Sequence, residues 1–273
     1  MKSFHFVKIN PSGNTTGLIL DETALKERSA LAHQMMSPAS LGVEQIAFAD
    51  LPGPEPCDFS LSMMGGEFCG NAVRSAAAWM AFDRRRWQPG KDEGEPLSYS
   101  VTCSGADGIF LCRVKPIDKC RFYVSAPLPL PQTVRVEIIE GRHWGYVEFK
   151  GITHYICTEP VNETDRFCIV KNMIHKIGDR SQAAGILFWD RVNLDPWVYV
   201  AQTDTLCRET SCGSGSAAVG VWTARSSEKK KLEIPVHQKG GLIQVSYFCE
   251  NRKEHISISG EVRIEAEGIV YLE

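Results

Sequence analysis

Two segments of this chain echo one another, and the echo limits the available folds more than any other feature. Cys69-Gly70-Asn71-Ala72 opens a small-residue stretch with Trp79 ten positions after the cysteine; Cys212-Gly213-Ser214-Gly215 opens another, with Trp222 at the same interval. Ala72 to Phe82 and Ser216 to Ala224 are apolar nearly all round and rich in alanine, which suits helices buried on every side. One such helix in each half predicts two similar lobes.

The rest of the chain reads mainly as strands. Apolar and polar residues alternate in Phe4 to Ile9, Leu97 to Val101, Ile109 to Val114, Tyr146 to Cys157, Leu242 to Phe248 and Ile256 to Ile264. Two amphipathic helices interrupt them. Glu22 to Met36 places Leu25, Arg28, Leu31, Ala32 and Met35 on one stripe, with Asp21 positioned as a cap. Thr164 to Ile177 places Phe167, Val170, Met173, Ile174 and Ile177 on one face, with Gly178 as a stop. Each precedes one Cys-Gly segment. The proline-rich interval Ser125 to Pro131 lies near the midpoint, where an interlobe connection belongs. The expected fold is α+β, two pseudo-symmetric lobes each wrapping strands around a central helix, with the functional site in the cleft between them.

Charge and composition remove several classes of function. A net charge of −3, with Lys229-Lys230-Lys231 as the lysine run, offers neither a nucleic-acid footprint nor a polybasic membrane patch. Met1 to Ile9 lacks the apolar run of a signal peptide, and no transmembrane segment is evident, so a cytoplasmic protein is expected. There, ten cysteines read as thiols rather than a disulfide framework. Without a Cys-x-x-Cys pair or neighbouring histidines, a structural zinc site is not expected. The sequons at Asn14 and Asn162 then carry no weight.

A cysteine before a glycine-led helix sits where unpaired N–H groups and the helix dipole favour negative charge, so an accessible thiolate is expected. Two such cysteines in matching places suit inversion at a carbon acid, where one group removes the α-proton and the other delivers a proton to the opposite face. Each sulfur must approach the carbon to about 3–3.5 Å, which puts the pair roughly 6–7 Å apart. The N–H groups of Gly70-Asn71 and Gly213-Ser214 can meet the substrate carboxylate.

Cys69-Gly70-Asn71 and Cys212-Gly213-Ser214-Gly215 resemble the two signature motifs of the diaminopimelate epimerase fold. The resemblance covers most of the chain: Asn10-Pro11-Ser12-Gly13-Asn14 is similar to the family's N-terminal Gly-Asn turn, Val43-Glu44-Gln45 to its acidic-Gln step, Gly151 to His154 to its Gly-Asn-Pro-His segment, and Ile258 to Glu273 to its closing strand. It implies racemisation without pyridoxal phosphate, metal or other cofactor. It also implies lobes at 1–117 and 118–264, with the last strand, about 265–273, returning to the first. Two departures set a diaminopimelate substrate aside. The Glu-Arg pair expected nine and eight residues before the second cysteine is Thr203-Asp204, and the Asn-Pro before the histidine is Ile152-Thr153. The remaining stretches, including Glu67 to Ala72, Glu209 to Gly215 and Val236-His237-Gln238, are similar to the histidine racemases that feed staphylopine-type opine metallophore synthesis.

The expected catalytic pair is therefore Cys69 and Cys212, with Asn14, Glu44, Gln45, Gly70, Asn71, His154, Glu209, Gly213 and Ser214 around the substrate. Glu44 lies between apolar residues and needs a partner, such as the substrate's ammonium or imidazole. Arg74 faces away from Cys69 by helical spacing and is assigned to a salt bridge; His237 is read as structural, and Trp79 and Trp222 as core. The expected partner is a small amino acid, with a homodimer left open. A diaminopimelate epimerase, a proline-type racemase, a thiol redox protein and an inactive binding protein are the competing readings.

Overall fold

The structure, a computed structural model, describes residues 1–50, 57–87, 96–177, 183–201 and 204–272. Two compact units emerge, one formed by Met1–Pro127 with Ser259–Glu273 and the other by Leu128–Ile258. Gly178 and Thr203 lie outside the described residues.

The first unit is built from β1 (Lys2–Asn10), β2 (Thr16–Ile19), α1 (Leu25–Met36), β3 (Gln45–Ala49), β4 (Phe59–Met63), α2 (Gly70–Trp87), β5 (Leu97–Cys103), β6 (Phe110–Pro116), β7 (Arg121–Pro127) and the later part of β16 (Lys253–Leu272). Its strands follow the order β1-β2-β3-β4-β5-β6-β7-β16, and β16 also pairs antiparallel with β1, from Lys2 opposite Leu272 to Asn10 opposite Arg263, so the sheet closes into a barrel. Helix α2 packs against β1, β2, β4, β5, β6 and β7. Ala72, Val73, Ala76, Ala77, Ala78 and Ala81 are all buried in that core, because strands this close leave room for little beyond methyl groups. A smaller cluster seats Leu31, Ala32 and Met35 of α1 on Ile46 and Phe48 of β3.

The second unit contains β8 (Thr133–Ile139), β9 (Arg142–Phe149), β10 (Ile152–Cys157), α3 (Glu163–Ile177), β11 (Ala183–Trp189), β12 (Leu194–Val200), β13 (Thr205–Arg208), α4 (Gly213–Ser226), β14 (Lys231–Gln238), β15 (Gly241–Glu250) and the start of β16. A six-stranded sheet runs β13-β12-β11-β10-β9-β8; its one parallel pair, β10 with β11, is bridged by α3, the crossover that parallel strands require. Helix α4 packs against β9, β10, β11, β14 and β15. Glycines permit that closeness: a methyl group on Gly220 would meet Val245 at 2.5 Å, and one on Gly145 would meet the Trp222 indole at 2.8 Å.

Three local expectations change. Tyr146 to Cys157 is not one strand but β9 and β10, joined by a two-residue turn at Lys150-Gly151 in which Gly151 adopts φ 87°. Asp21 does not cap α1. Its carboxylate accepts the His5 backbone N–H, and the helix starts after Ala24 with no side-chain cap. Leu25 and Phe167, placed on apolar faces by spacing, are 77% and 49% exposed, because each sits in the first turns of its helix before the packed region begins.

Candidate active site

Cys69 and Cys212 occupy the same local position. Each immediately precedes a helix, and each sulfur accepts the backbone N–H three residues on, from Ala72 and from Gly215, both at 3.4 Å. Val73 N–H and Ser216 N–H donate to the carbonyls of Cys69 and Cys212 in turn. The Gly70-Asn71 and Gly213-Ser214 amides then form the helix starts, where N–H groups lack intrahelical acceptors.

In the first unit a chain of donors leads away from Cys69. Its thiol donates to Gln45 Oε1 at 3.3 Å, Gln45 Nε2 donates to Thr16 Oγ1 at 2.7 Å, and Thr16 donates to the Asn14 carbonyl at 3.4 Å. Fold and pairing explain the convergence. Gln45 begins β3, which lies parallel to β2 with Thr16 opposite Gln45, and Asn14 ends the turn that enters β2. That turn is held by Asn10, whose side-chain oxygen accepts the Gly13 N–H at 2.7 Å. Asn14 is 6% exposed, and its side-chain oxygen has no hydrogen-bond partner among the described residues. A buried amide oxygen left this way is an acceptor awaiting a donor.

Arg74 differs from its expected role. It is fully buried, and Nη2 donates to the Pro11 carbonyl and to Asn71 Oδ1, both at 2.8 Å, rather than to a surface carboxylate. Burial lowers its pKa to about 10, against the opposing pull of the nearby Cys69. The arginine ties the entry turn to the helix start, and it is a residue that helical spacing from Cys69 alone did not single out. Glu44 also departs from expectation: it is exposed, because alternation sends it outward between buried Val43 and Gln45, and its backbone N–H donates to Thr15. Its carboxylate therefore needs no buried partner.

In the second unit the surroundings of Cys212 are more polar and more enclosed. Its backbone N–H donates to Gln238 Oε1 at 2.7 Å, Gln238 Nε2 donates to Ser216 Oγ at 2.9 Å, and Ser216 Oγ donates to the Cys212 carbonyl at 2.7 Å, a closed ring that fixes the backbone at the cysteine. Gln238, at the end of β14, was visible in the sequence only as part of a resembling stretch. Cys212 is 4% exposed, and burial pushes its thiol pKa well up, with the charge of the Glu209 carboxylate pushing further the same way. The donors from Gly215 and Ser214 pull down but lose. The accessible thiolate expected at a helix start is thus not found at Cys212, since desolvation outweighs the helix terminus. His154 is fully buried in β10, and its Nε2 lies 3.0 Å from Ser214 Oγ. Burial lowers its pKa to about 3, so it stays neutral.

His237 is exposed, at the end of β14, with its N–H on the Val192 carbonyl. Trp79 packs against the first core, 5.4 Å from the Phe59 ring. Asp204 accepts the Tyr199 hydroxyl at 3.0 Å. No disulfide joins the cysteines, and among the described residues no cluster of three or more His, Cys, Asp or Glu is placed to hold a metal ion. No helix among them is long and apolar enough to cross a membrane.

Residues 3–271 match the family described as histidine racemase CntK N-terminal domain. The chain belongs to that family. Among its relatives, a histidine racemase of Fusobacterium nucleatum is 32% identical over 275 residues, covering 98% of this chain and 97% of the relative. A histidine racemase of Staphylococcus aureus is 30% identical over 284 residues, with coverage of 98% and 97%. Membership makes the chain an isomerase of the racemase class. Among solved structures, a hydroxyproline epimerase from Agrobacterium vitis superposes with a TM-score of 0.68 at 9% identity, covering 98% of this chain and 92% of that one. A PhzF-family phenazine biosynthesis protein of Bacillus anthracis superposes with a TM-score of 0.63 at 14% identity over the whole of both chains. At such identities these two share the mixed α/β barrel-type fold.

Proposed function

We propose that the chain interconverts L- and D-histidine by a two-base mechanism in which Cys69 and Cys212 are the acid–base pair. The observation that carries the reading is the repeated placement of a cysteine before a buried helix, with its sulfur accepting the N–H three residues on, in each of two units. One sulfur, as thiolate, takes the α-proton and becomes a thiol; the other, as thiol, gives its proton to the opposite face and becomes a thiolate. The next turnover in the same direction requires the protons to re-equilibrate with solvent. The carboxylate, on which negative charge builds as the α-proton leaves, rests on the helix-start N–H groups of Gly70, Asn71, Gly213 and Ser214. Asn14, with its unpartnered buried oxygen, accepts from the substrate ammonium. His154 and Glu209 complete the surroundings of the substrate, and Glu44 reads the imidazole. No cofactor is required in this scheme.

Support for histidine comes from the family and from the full-length relatives that bear that name. We also read the fold as the diaminopimelate epimerase type, a reading supported by the strands packed around α2 and around α4. The enzyme would act in the cytoplasm, supplying D-histidine to an opine metallophore synthase. Chiral chromatography of purified protein incubated with L-histidine, other L-amino acids and diaminopimelate tests the substrate. Histidine is expected to racemise fastest, and faster turnover of diaminopimelate overturns the assignment. Run in heavy water, the reaction is expected to place deuterium at the product α-carbon; product that keeps its original hydrogen rules out two exchangeable thiols.

A further inference from the structure

The contacts of Cys212 extend beyond the sulfur to a histidine that has no path to solvent. His154 Nε2 lies 3.0 Å from Ser214 Oγ, and Ser214 Oγ lies 3.6 Å from Cys212 Sγ. The hydrogens in this row can be assigned from its histidine end. A neutral imidazole carries one N–H, and on Nδ1 it would be buried without an acceptor, so the proton sits on Nε2 and is donated to Ser214 Oγ, which turns the serine hydroxyl toward the Cys212 sulfur. His154 Nδ1 is pressed onto the backbone of Gly185, where a Cβ would stand 2.1 Å away. A bare lone pair there costs less than an orphaned N–H.

We propose that His154 is a positioning residue that holds Ser214 in a single hydrogen-bonding direction, so that the serine hydroxyl always donates to the Cys212 sulfur and stabilises it as a thiolate. The proposal rests on Cys212 being one of the two acid–base groups, and it adds a role for two residues otherwise assigned to the substrate. Register explains why the histidine can do this: it sits opposite Gly185 on β11, and its ring fills the space that a side chain there would take.

The test is the pH dependence of Cys212 alkylation by iodoacetamide, resolved by peptide mass spectrometry on the full chain without substrate, with Cys69 as internal reference. Ser214→Ala is expected to slow alkylation of Cys212 at a fixed pH below its midpoint by roughly ten- to a hundred-fold, the worth of one hydrogen bond to a charged acceptor. Ser214→Thr is expected to restore it. His154→Phe should give a smaller slowing, and adding it to Ser214→Ala should change nothing further. An unmoved Cys212 profile in Ser214→Ala overturns the proposal, even if His154→Phe fails to fold; so does an equal His154→Phe effect with and without the serine. Racemisation by Cys212→Ala separates the two levels: retained turnover sinks the two-base reading whatever the alkylation shows, whereas lost turnover with an unmoved Ser214→Ala profile sinks only the relay.

Discussion

Cys69 and Cys212 begin from one backbone arrangement and are then loaded differently, the first thiol donating to the Gln45 amide oxygen and the second lying under the charge of the Glu209 carboxylate. If both act, Cys69→Ala and Cys212→Ala should each abolish racemisation in either direction while circular dichroism and melting stay near wild type; near-normal turnover by either would remove the pair. The asymmetry gives a sharper expectation. The Glu209 charge raises the Cys212 pKa, so Glu209→Gln removes a raising influence, and Cys212 alkylation should shift to lower pH. A shift to higher pH would show that the carboxylate does not bear on the sulfur. Glu44 is exposed, so Glu44→Gln should leave the melting temperature within a degree or so and yet cut kcat/KM for histidine by roughly ten- to a hundred-fold, the value of a charged hydrogen bond. Unchanged kinetics would remove it from the substrate.

Elements hold these residues by close approach, and glycine marks where the approach is closest. The parallel pairing of β10 with β11 sets His154 directly opposite Gly185, and the imidazole fills the space a side chain would need. Gly185→Ala is expected to destabilise the protein by about 1–3 kcal/mol by overpacking, measured by urea unfolding. Combining it with His154→Ala should recover part of the loss, because the two share one space; strict additivity would place the strain elsewhere. Both helix segments extend beyond the limits that apolar composition marked: α2 runs from Gly70 to Trp87 and α4 from Gly213 to Ser226. Composition sees only the buried stretch, whereas the polar last turns, such as Asp83 to Arg86, continue the helix into solvent and carry no apolar signal.

For the whole molecule, burying a neutral histidine has a price that appears with pH. The folded His154 pKa of about 3 lies below the ordinary 6.5, so below 6.5 the unfolded chain binds a proton that the native state refuses. Stability is therefore full above pH 6.5 and declines as pH falls from there toward 3, by an amount on the order of a few kcal/mol. Melting temperature followed from pH 7 to pH 4 should fall, and His154→Phe should flatten the curve above pH 5, before carboxylates held ionised in the native state, such as Asp195, begin to take up protons in the unfolded chain. An unchanged slope would mean that another group sets it. The sequence by itself determined the α+β class, the two cysteine-led helices and much of their company, because duplication repeats residue types at matching intervals and a buried helix or alternating strand leaves its period in the chain. Resemblance placed Gln45 beside the substrate, but that its amide meets the Cys69 thiol follows only from the pairing that brings β3 alongside β2. The tertiary structure alone decided that Arg74 turns inward to Pro11 and Asn71, that Gln238 closes a ring on the Cys212 backbone, that Glu44 is exposed, and that Cys212 is too buried for an easy thiolate. Burial and hydrogen-bond partners depend on what strand pairing brings from distant parts of the chain, and a local pattern holds no record of that.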